Sequence, residues 1–367
     1  MKSLPPYLLA YPTVFAVGDE YQIFAPFSDE VIFWVKVGDR TYYDHSCGVL
    51  RSRTNMHRVR LPMKALDECK EYTIGYRKMI NRAPYFPSSE DERTLTIPFR
   101  PVKSEGAINL YHISDAHNRV DEPIAAGSFF GDDLDLLILN GDIPDHSGDV
   151  KNFNAICLIA SGITHGEIPT VFARGNHDTR GIHAEDMPDY IPTRKGNTYY
   201  TFRVGSLWGL VLDCGEDKPD DHAEYGHTVC FHEFRLEETE FLKEVIANAD
   251  REYNAPGVEH RLIISHIGFT YIDHSPFDIE KELYQEWTRL VEQMHPDLLL
   301  YGHFHLVAIC PPGCEFDHQG QPCTAIIGSK PIDRGFVGCG ITLNPDGTKR
   351  IVFNDQQGSV HTDEVVK

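Results

Sequence analysis

The first hundred residues contain short segments in which hydrophobic and polar side chains alternate. Three of these segments are VIFWVKV (31–37), HRVRLP (57–62) and YTIGYRKMI (72–80). Alternation with a period of two is typical of β-strands, and the Gly, Pro, Asp and Ser clusters between the segments indicate turns. The pattern predicts a small all-β sandwich over residues 1–102.

Beyond residue 107 the hydrophobic runs change in character, and most are separated by segments long enough for helices. These runs are AINLYHI, LDLLILN, IPTVFA, LWGLVL, HRLIISH and DLLLYGH. Such runs are typical of the buried strands of a layered α/β domain. The polar, proline-containing stretch PFRPVKSEGA (98–107) marks a boundary, so we predict two domains, 1–102 and 103–367.

Two segments in the second region carry a helical pattern, FRLEETEFLKEVIANA and DIEKELYQEWTRLVEQM. In the second segment Leu283, Trp287, Leu290 and Met294 recur three and four residues apart, which predicts a stripe facing the core. The last fifty residues return to short strands and should complete the sheet. The predicted fold class is α/β, a layered β-sandwich flanked by helices and preceded by a small all-β sandwich domain.

Charge limits the partners that the chain can bind. The formal net charge is −21 and no run of Lys or Arg offsets it locally. This field repels the phosphates of nucleic acid, so we expect no nucleic-acid polymer as a partner. A small anionic substrate would meet the same repulsion unless bound metal ions supplied positive charge at the site.

The hydropathy and the cysteine pattern of the chain predict the cellular compartment in which the protein is found. No stretch approaches the roughly 20 apolar residues of a membrane span, so we expect no membrane partner. The first apolar residues are interrupted by Pro5, Pro6 and Pro12, which makes a poor signal-peptide core. The nine cysteines, an odd number, lack a framework spacing and suit a reducing interior. We expect a cytoplasmic protein.

Polar side chains able to bind a metal follow five of the hydrophobic runs. They are Asp115 and His117, Asp142, Asn176 and His177, His266, and His303 and His305. In layered α/β folds ligands gather at the carboxyl ends of strands. Any one of these side chains alone is more often a turn residue, a cap or a satisfied polar group. Five such strand ends in one chain favour a metal site.

The spacing and chemistry of these side chains indicate two ions. Residues two apart on an extended segment point to the same side, so Asp115 and His117 can address one ion, and His303 and His305 can share a face. Imidazole, carboxylate and amide ligands suit divalent Mn, Fe, Zn or Ni. Even seven of these eight side chains would be too many ligands for one ion. The carboxylate of Asp142 can bridge two ions about 3.5–4 Å apart.

The ordered motifs DAH, GDIPD, GNHD, a single His after a strand, and GHFH resemble the calcineurin-like metallophosphoesterase superfamily over roughly residues 107–310. The N-terminal sandwich, expected to be fibronectin type III-like, is similar in layout to that of purple acid phosphatases. The resemblance implies a dinuclear-metal phosphoesterase domain over 103–367. It implies that Asp115, His117 and His305 hold one metal, that Asn176, His266 and His303 hold the other, that Asp142 bridges them, and that His177 faces the scissile phosphate.

One position departs from the purple acid phosphatases. They carry a Tyr three positions after the bridging Asp, and its phenolate colours their ferric centre, whereas this chain has Asp145. The departure favours a pair of divalent ions. In other branches of the superfamily an Asp at this place partners the GNH histidine, so Asp145 is expected to orient His177 and favour its protonated form. The protein-phosphatase branch places an Arg next to this Asp, but here His146 follows, which disfavours phosphoprotein substrates.

The expected function is that of an enzyme, a metallophosphoesterase that hydrolyses a small organic phosphate mono- or diester with a metal-activated hydroxide. His177 and Asp145 are the predicted catalytic residues. Arg174 and Arg180 flank the GNHD turn and either contact phosphate or pair with nearby acids. Two alternatives are a non-catalytic metal-binding scaffold for partner proteins and a dinuclear hydrolase acting on a non-ester bond. The sequence makes no prediction of oligomeric state.

Overall fold

The computed structural model describes residues 4–367, which form several β-sheets and five α-helices. The strands, numbered in chain order, are β1 (Thr13–Val17), β2 (Glu20–Pro26), β3 (Val31–Val37), β4 (Arg40–Tyr43), β5 (His45–Ser46), β6 (Val49–Leu50), β7 (Met56–Pro62), β8 (Glu71–Asn81), β9 (Ser88–Ser89), β10 (Arg93–Pro98), β11 (Ile108–Ile113), β12 (Leu136–Asn140), β13 (Pro169–Ala173), β14 (Tyr200–Val204), β15 (Leu207–Leu212), β16 (His260–Ser265), β17 (Leu298–Tyr301), β18 (Ala308–Cys310), β19 (Ala325–Ile327), β20 (Lys330–Ile332), β21 (Gly335–Leu343), β22 (Lys349–Asp355) and β23 (Val360–Val366).

The helices lie between these strands. The α-helices are α1 (Met63–Cys69), α2 (Asp121–Gly127), α3 (Asn154–Thr164), α4 (Phe231–Ala247) and α5 (Lys281–Glu292). Short 3-10 helices span Ser128–Asp133, Val150–Phe153, His177–Thr179, Ala184–Asp189, Ala223–Tyr225 and Ala249–Arg251. Within residues 4–367, no helix is both long enough and apolar enough to cross a membrane.

Two large sheets pack against each other to form the centre of the molecule. The 10-stranded sheet has the order β23-β22-β21-β11-β12-β13-β1-β2-β7, with β20 paired to β21, and the six-stranded sheet has the order β14-β15-β16-β17-β19-β18. Val171 of β13, Ile264 of β16 and Leu300 of β17 belong to one buried hydrophobic cluster, so the two sheets share a core. This arrangement is the predicted layered β-sandwich.

The central strands of both sheets are parallel and buried. Strands β11, β12 and β13 run parallel, as do β15, β16 and β17. Every residue of β12 and β13 is buried. Continuous apolar runs are required here because both faces of such strands are covered. Since parallel strands end at the same edge, the residues that follow these strands are brought together.

Helices cover the outer face of the six-stranded sheet, as the amphipathic pattern predicts. Leu242 of α4 and Trp287 of α5 pack in a second hydrophobic cluster with Trp208 and Ile263 of the sheet. The predicted stripe is confirmed, since Leu283, Trp287 and Met294 are buried and Leu290 is partly buried, with Met294 lying just beyond the end of α5.

The strands predicted in the first hundred residues are present. Segment 31–37 is β3, and segments 57–62 and 72–80 lie within β7 and β8. Strands β3, β4, β8, β9 and β10 form a separate five-stranded sheet. Strands β1, β2 and β7, in contrast, extend the large sheet, because Val14 and Phe15 pair in parallel with Pro169 and Thr170 of β13. The division into domains 1–102 and 103–367 stays a prediction.

The C-terminal segment completes the large sheet, as predicted. Strand β21 pairs antiparallel with β11, and β22 and β23 follow it outward as antiparallel neighbours. The strand β11 therefore lies between β12 and β21, well inside the sheet. This central position fixes the direction in which the residues after β11 leave the sheet.

A chain that begins at residue 103 tests the domain division. Removal of residues 1–102 would expose the edge of β13, whose five residues are all buried. An exposed apolar edge pairs with other chains, so we expect this fragment to aggregate. Solubility and far-UV circular dichroism are the measurements, and a chain that lacks only β23 is the control for loss of an edge strand. A soluble fragment 103–367 with a cooperative unfolding transition would instead favour an independent N-terminal domain.

Candidate metal centre

Five strands end at one edge of the sandwich, and the predicted side chains follow them. Asp115 and His117 follow β11, Asp142 follows β12, Asn176 and His177 follow β13, His266 follows β16, and His303 and His305 follow β17. The first three strands belong to the 10-stranded sheet and the other two to the six-stranded sheet. The cluster therefore exists only because the two sheets are packed together.

The side chains form overlapping groups of possible metal ligands. Ligand atoms lie within 4.8 Å of one another in each of three groups, which are Asp115, His117 and His305; Asp142, His266 and His303; and His117, Asp142 and His177. Asn176 joins the second group, because its Oδ1 lies 3.1 Å from His303 Nδ1. The structure thus brings all seven predicted ligands close together. Their role as ligands stays a prediction.

Two carboxylates are buried at the centre of these groups. Asp115 is 0% exposed and Asp142 is 1% exposed. His266 lies between them, with its Nε2 3.1 Å from Asp142 Oδ2 and 3.9 Å from Asp115 Oδ1. This Nε2 is buried and has no partner in hydrogen-bond geometry. A buried imidazole lone pair facing buried carboxylates suits a divalent cation.

The pKa values of these groups show that the side chains alone do not balance their own charges. Burial raises the pKa of Asp115 to about 7, and the neighbouring charge of Asp142 adds to this shift. Burial disfavours the charged form of His266, but the carboxylate of Asp142 outweighs it and raises the pKa of His266 to about 10. Burial and the charge of His266 lower the pKa of His303 to about 4. Cations placed among these side chains would let both carboxylates stay ionised.

Contacts on the far side of two imidazole rings fix their orientation. His266 Nδ1 donates to the backbone carbonyl of Asn140 at 2.6 Å, and His117 Nδ1 lies 3.1 Å from Asp145 Oδ1. The Nε2 atoms of both rings therefore face the cluster, where His117 Nε2 lies 3.0 Å from His305 Nε2. Metal-binding histidines are oriented in this way in proteins.

The backbone at these positions is strained. Asp115, His117, Asp142, His303 and His305 have φ values of 56°, 45°, 52°, 69° and 50°. Non-glycine residues seldom adopt this left-handed region, which costs about 1–3 kcal/mol each at functional sites. Hydrogen bonds hold the conformation, because the His117 amide donates to the Asp142 carbonyl and the His303 amide donates to the Asp115 carboxylate. The strained backbone directs these five side chains toward the cluster, at a cost in local stability.

Two motif glycines are required by the close approach of backbone segments. A Cβ atom at Gly141, whose φ is +76°, would overlap the ring of His266 and the Cα of Gly175. A Cβ atom at Gly175 would overlap the backbone nitrogen of Asp142. Neither obstacle is the free end of a flexible side chain. The GD and GNH motifs therefore need glycine for steric reasons.

Asp145 contacts two histidines by different atoms. Its backbone carbonyl accepts a hydrogen bond from His177 Nδ1 at 2.9 Å, whereas its carboxylate lies against His117. The predicted contact between Asp145 and His177 is therefore made by the backbone. His177 itself packs edge-on against the ring of His117, with centroids 4.7 Å apart, and its amide donates to Asp142 Oδ1 at 2.9 Å.

Both flanking arginines are already paired with acids. Arg174 Nε lies 2.7 Å from Asp213 Oδ2. Arg180 Nε donates to Glu216 Oε1 at 2.8 Å and its Nη2 donates to Oε2 at 2.7 Å, while Nη1 lies 3.4 Å from His177 Nε2. The sequence left two interpretations open for these arginines, contact with phosphate or pairing with nearby acids, and in the structure both are paired with acids. Their positive charge is therefore largely cancelled beside the cluster.

Some residues around the cluster were missed in the sequence. Ser114 Oγ donates to Asp115 Oδ2 at 2.5 Å, and Ser329 Oγ donates to the Ser114 carbonyl at 2.7 Å. Asp217 Oδ2 lies 3.8 Å from His303 Nε2. Asp178 accepts a hydrogen bond from the Gly175 amide at 2.7 Å. Ser114 and Asp178 lie inside the motifs and could have been found, but Ser329 and Asp217 carry no local sequence signal.

Comparisons with known proteins identify the family and similar folds. A family model described as calcineurin-like phosphoesterase matches residues 108–307. The structure of purple acid phosphatase PPD1 from yellow lupin (Lupinus luteus) seeds is similar with a TM-score of 0.62 and 12% identity, covering 97% of this chain and 74% of that one. A structure of PhoD is similar with a TM-score of 0.58 and 12% identity, covering 100% and 94%. No curated protein sequence matches. The predicted fold class is confirmed.

Divalent ions should stabilise the folded chain. An ion that binds only the folded state adds about 2.7 kcal/mol when present at 100 times its dissociation constant, and here it would also relieve the repulsion between Asp115 and Asp142. Thermal unfolding of chelator-stripped protein, with and without Mn, Zn, Fe(II) or Ni, is the measurement. We expect Asp142→Asn to lose most of the increase in Tm, and Asp39→Asn, on the exposed surface, to keep it. Equal increases in both variants would exclude Asp142 as a ligand.

Proposed function

The chain belongs to the calcineurin-like phosphoesterase family, and from this membership we propose that it hydrolyses a small organic phosphate mono- or diester at a pair of divalent metal ions. The observation that carries the proposal is the joint burial of Asp115 and Asp142 among imidazoles that face them. When bound, such ions supply a nucleophile by lowering the pKa of water, and they stabilise charge on the phosphoryl oxygens.

The proposed ligands divide into two sets with one shared carboxylate. One ion would be held by Asp115, His117 and His305, and the other ion by Asn176, His266 and His303. Asp142 would contact both ions. The contacts of His117 with Asp145 and of His266 with Asn140 support this assignment, since they leave Nε2 of each ring for an ion. The mixed nitrogen and oxygen donors suit Mn, Fe, Zn or Ni. Asp145 provides no phenolate, in keeping with divalent ions.

His177 is the proposed group for the leaving oxygen. Because the Asp145 carbonyl can only accept a hydrogen bond, Nδ1 of His177 carries a proton and Nε2 is the ring atom left for substrate. From this position a protonated Nε2 would donate its proton to the departing alkoxide or stabilise its charge. Its amide contact with Asp142 keeps the ring beside the proposed ions.

The electrostatics of the site support a role for the ions in binding phosphate. Glu216, Asp217 and Glu224 all lie within 3.5 Å of Arg180, so this guanidinium carries little free positive charge. With a net charge of −21, the chain would repel a phosphate ester from the site. The proposed ions therefore supply the attraction as well as the chemistry.

The first experiment compares p-nitrophenyl phosphate with bis(p-nitrophenyl) phosphate after metal removal and re-addition of Mn, Zn, Fe(II), Ni or Mg. We expect metal-restored hydrolysis of at least one ester, and the ratio of the two rates would assign monoesterase or diesterase activity. Product analysis by phosphorus NMR verifies that the ester bond is the one cleaved. Two bound ions without hydrolysis of either ester would contradict the proposal and favour a metal-binding scaffold.

The role of His177 predicts a dependence on the leaving group. His177→Ala should lower kcat by about 10²–10⁴-fold on an alkyl phosphate, whose alkoxide needs a proton. The loss should be much smaller on a p-nitrophenyl ester, because p-nitrophenolate is stable without one. Steady-state kinetics on both substrates are the measurement. His183→Ala, a change of a loop histidine that pairs with Asp186, is the control and should behave like the unaltered protein. Equal losses on both esters would rule out proton donation.

A further inference from the structure

We propose that a pocket beside the metal centre binds the organic group of the ester, and that it selects a flat aromatic or apolar group without negative charge. This inference rests on the proposed function. The pocket has a volume of about 270 Å³ and reaches the centre at His303 and Asp217. Its size suits a group of one or two rings rather than a long chain.

Aromatic and branched aliphatic side chains form the walls of the pocket. Tyr271, Phe277 and Phe304 line it together with Ile272 and Ile279, and all five are only partly buried. Partly exposed apolar side chains that share one cavity provide a surface that a ligand can cover, which is favourable by about 25 cal/mol per Å² of apolar area. A flat ring would gain further from edge-to-face contact with these aromatic groups.

The aromatic wall is held in place by its own packing. Tyr271 contacts Phe304 edge-on with centroids 5.3 Å apart, and it also stacks on His318 with centroids 4.9 Å apart. Phe316 lies against both Tyr271 and Phe304. The wall is therefore ordered before a ligand arrives, so little side-chain entropy is lost on binding.

Phe304 connects the pocket to the reaction centre. It lies between the two histidines of the GHFH motif, and its ring centroid is 5.5 Å from that of His303. Gly268 faces the same ring, where an added Cβ atom would lie 3.1 Å from Phe304 Cε2. A phosphoryl group at the proposed ions would thus place its organic substituent directly at the mouth of the pocket.

The charges that face the pocket exclude an anionic substituent. Two acids line it, Asp217 and Asp273, and no Lys or Arg does. Asp217 is paired with Lys218 at 2.9 Å, and Lys218 Nζ lies 5.0 Å from the Phe277 ring. Asp273 accepts a hydrogen bond from the His274 amide at 2.7 Å. A second phosphate or a carboxylate on the substrate would meet these acids without a free cation to balance it.

The test measures binding of phosphonates, which cannot be hydrolysed as esters. Isothermal calorimetry on the metal-loaded protein compares benzylphosphonate, 4-carboxybenzylphosphonate and ethylphosphonate. We expect benzylphosphonate to bind about tenfold more tightly than each of the other two, a ratio typical of one buried aromatic group. Comparable affinities for benzyl and ethyl compounds would overturn the proposed pocket, and equal affinity for the carboxylated compound would overturn the charge selection.

Variants of the pocket residues test whether the preference for the benzyl group arises in this pocket. Tyr271→Ala and Phe277→Ala, on two different residues of the wall, should each reduce the ratio of benzyl to ethyl affinity several-fold, whereas Tyr271→Phe should keep it. Tyr85→Ala, at a side chain that is 82% exposed in the N-terminal region, is the matched control. Circular dichroism verifies folding of each variant. An unchanged ratio in both folded alanine variants would contradict the proposal.

Rates of ester hydrolysis distinguish a failure of the proposed pocket from a failure of the proposed reaction. The p-nitrophenyl esters first show whether the protein hydrolyses monoesters or diesters. The benzyl and ethyl esters of that class are then compared by kcat/KM. Hydrolysis without a benzyl preference, together with equal phosphonate affinities, would retain the reaction and overturn the pocket. A preference for benzylphosphonate that depends on Tyr271, without hydrolysis of any ester, would retain the pocket and overturn the reaction.

Discussion

The repulsion between two buried carboxylates, Asp115 and Asp142, is the constraint on which this structure depends. Both lie out of contact with solvent, where charge is poorly screened. Burial is the main reason why the pKa of Asp115 rises, and the charge of Asp142 adds to it; against the same effect of burial, the Asp142 carboxylate holds His266 in its charged form. Buried charged groups can often be replaced by well-packed apolar residues without loss of stability, so stability alone does not account for these two acids. The acids therefore indicate a site built for cations.

Asn140 shows how this site is connected to the fold. It ends β12, and its side-chain amide donates to the carbonyls of Ser265 and Leu300, at the ends of β16 and β17. Its own carbonyl accepts the Nδ1 proton of His266. One buried residue thus links the two sheets and orients a proposed ligand. The positions of the proposed ligands from both sheets are therefore set by the packing of the sandwich itself, and the strained backbone at these strand ends completes the inward turn.

Much of this arrangement could be predicted because hydrophobic runs that stop at polar residues able to bind a metal identify both a strand and its end. Pairing between distant strands has no such signal in the sequence, because nothing in residues 13–26 identifies β13 as the neighbour of β1. The same limit applies to single contacts. The sequence indicated that Asp145 belongs near a histidine, but the use of its carbonyl for His177 and its carboxylate for His117 depends on the backbone path.

Charge divides the proposed site into two parts with different tasks. Around the phosphoryl group the protein contributes acids and paired arginines, so attraction for an anion has to come from ions held by Asp115, Asp142 and their neighbouring imidazoles. Beside it, the pocket with Tyr271 and Phe304 contributes apolar surface and two acids. An ester with a single anionic phosphoryl group and an uncharged aromatic substituent satisfies both parts, whereas a second anionic group would be placed where the protein has no cation to receive it. The proposed selectivity therefore follows from where positive charge is absent as much as from where the ions would supply it.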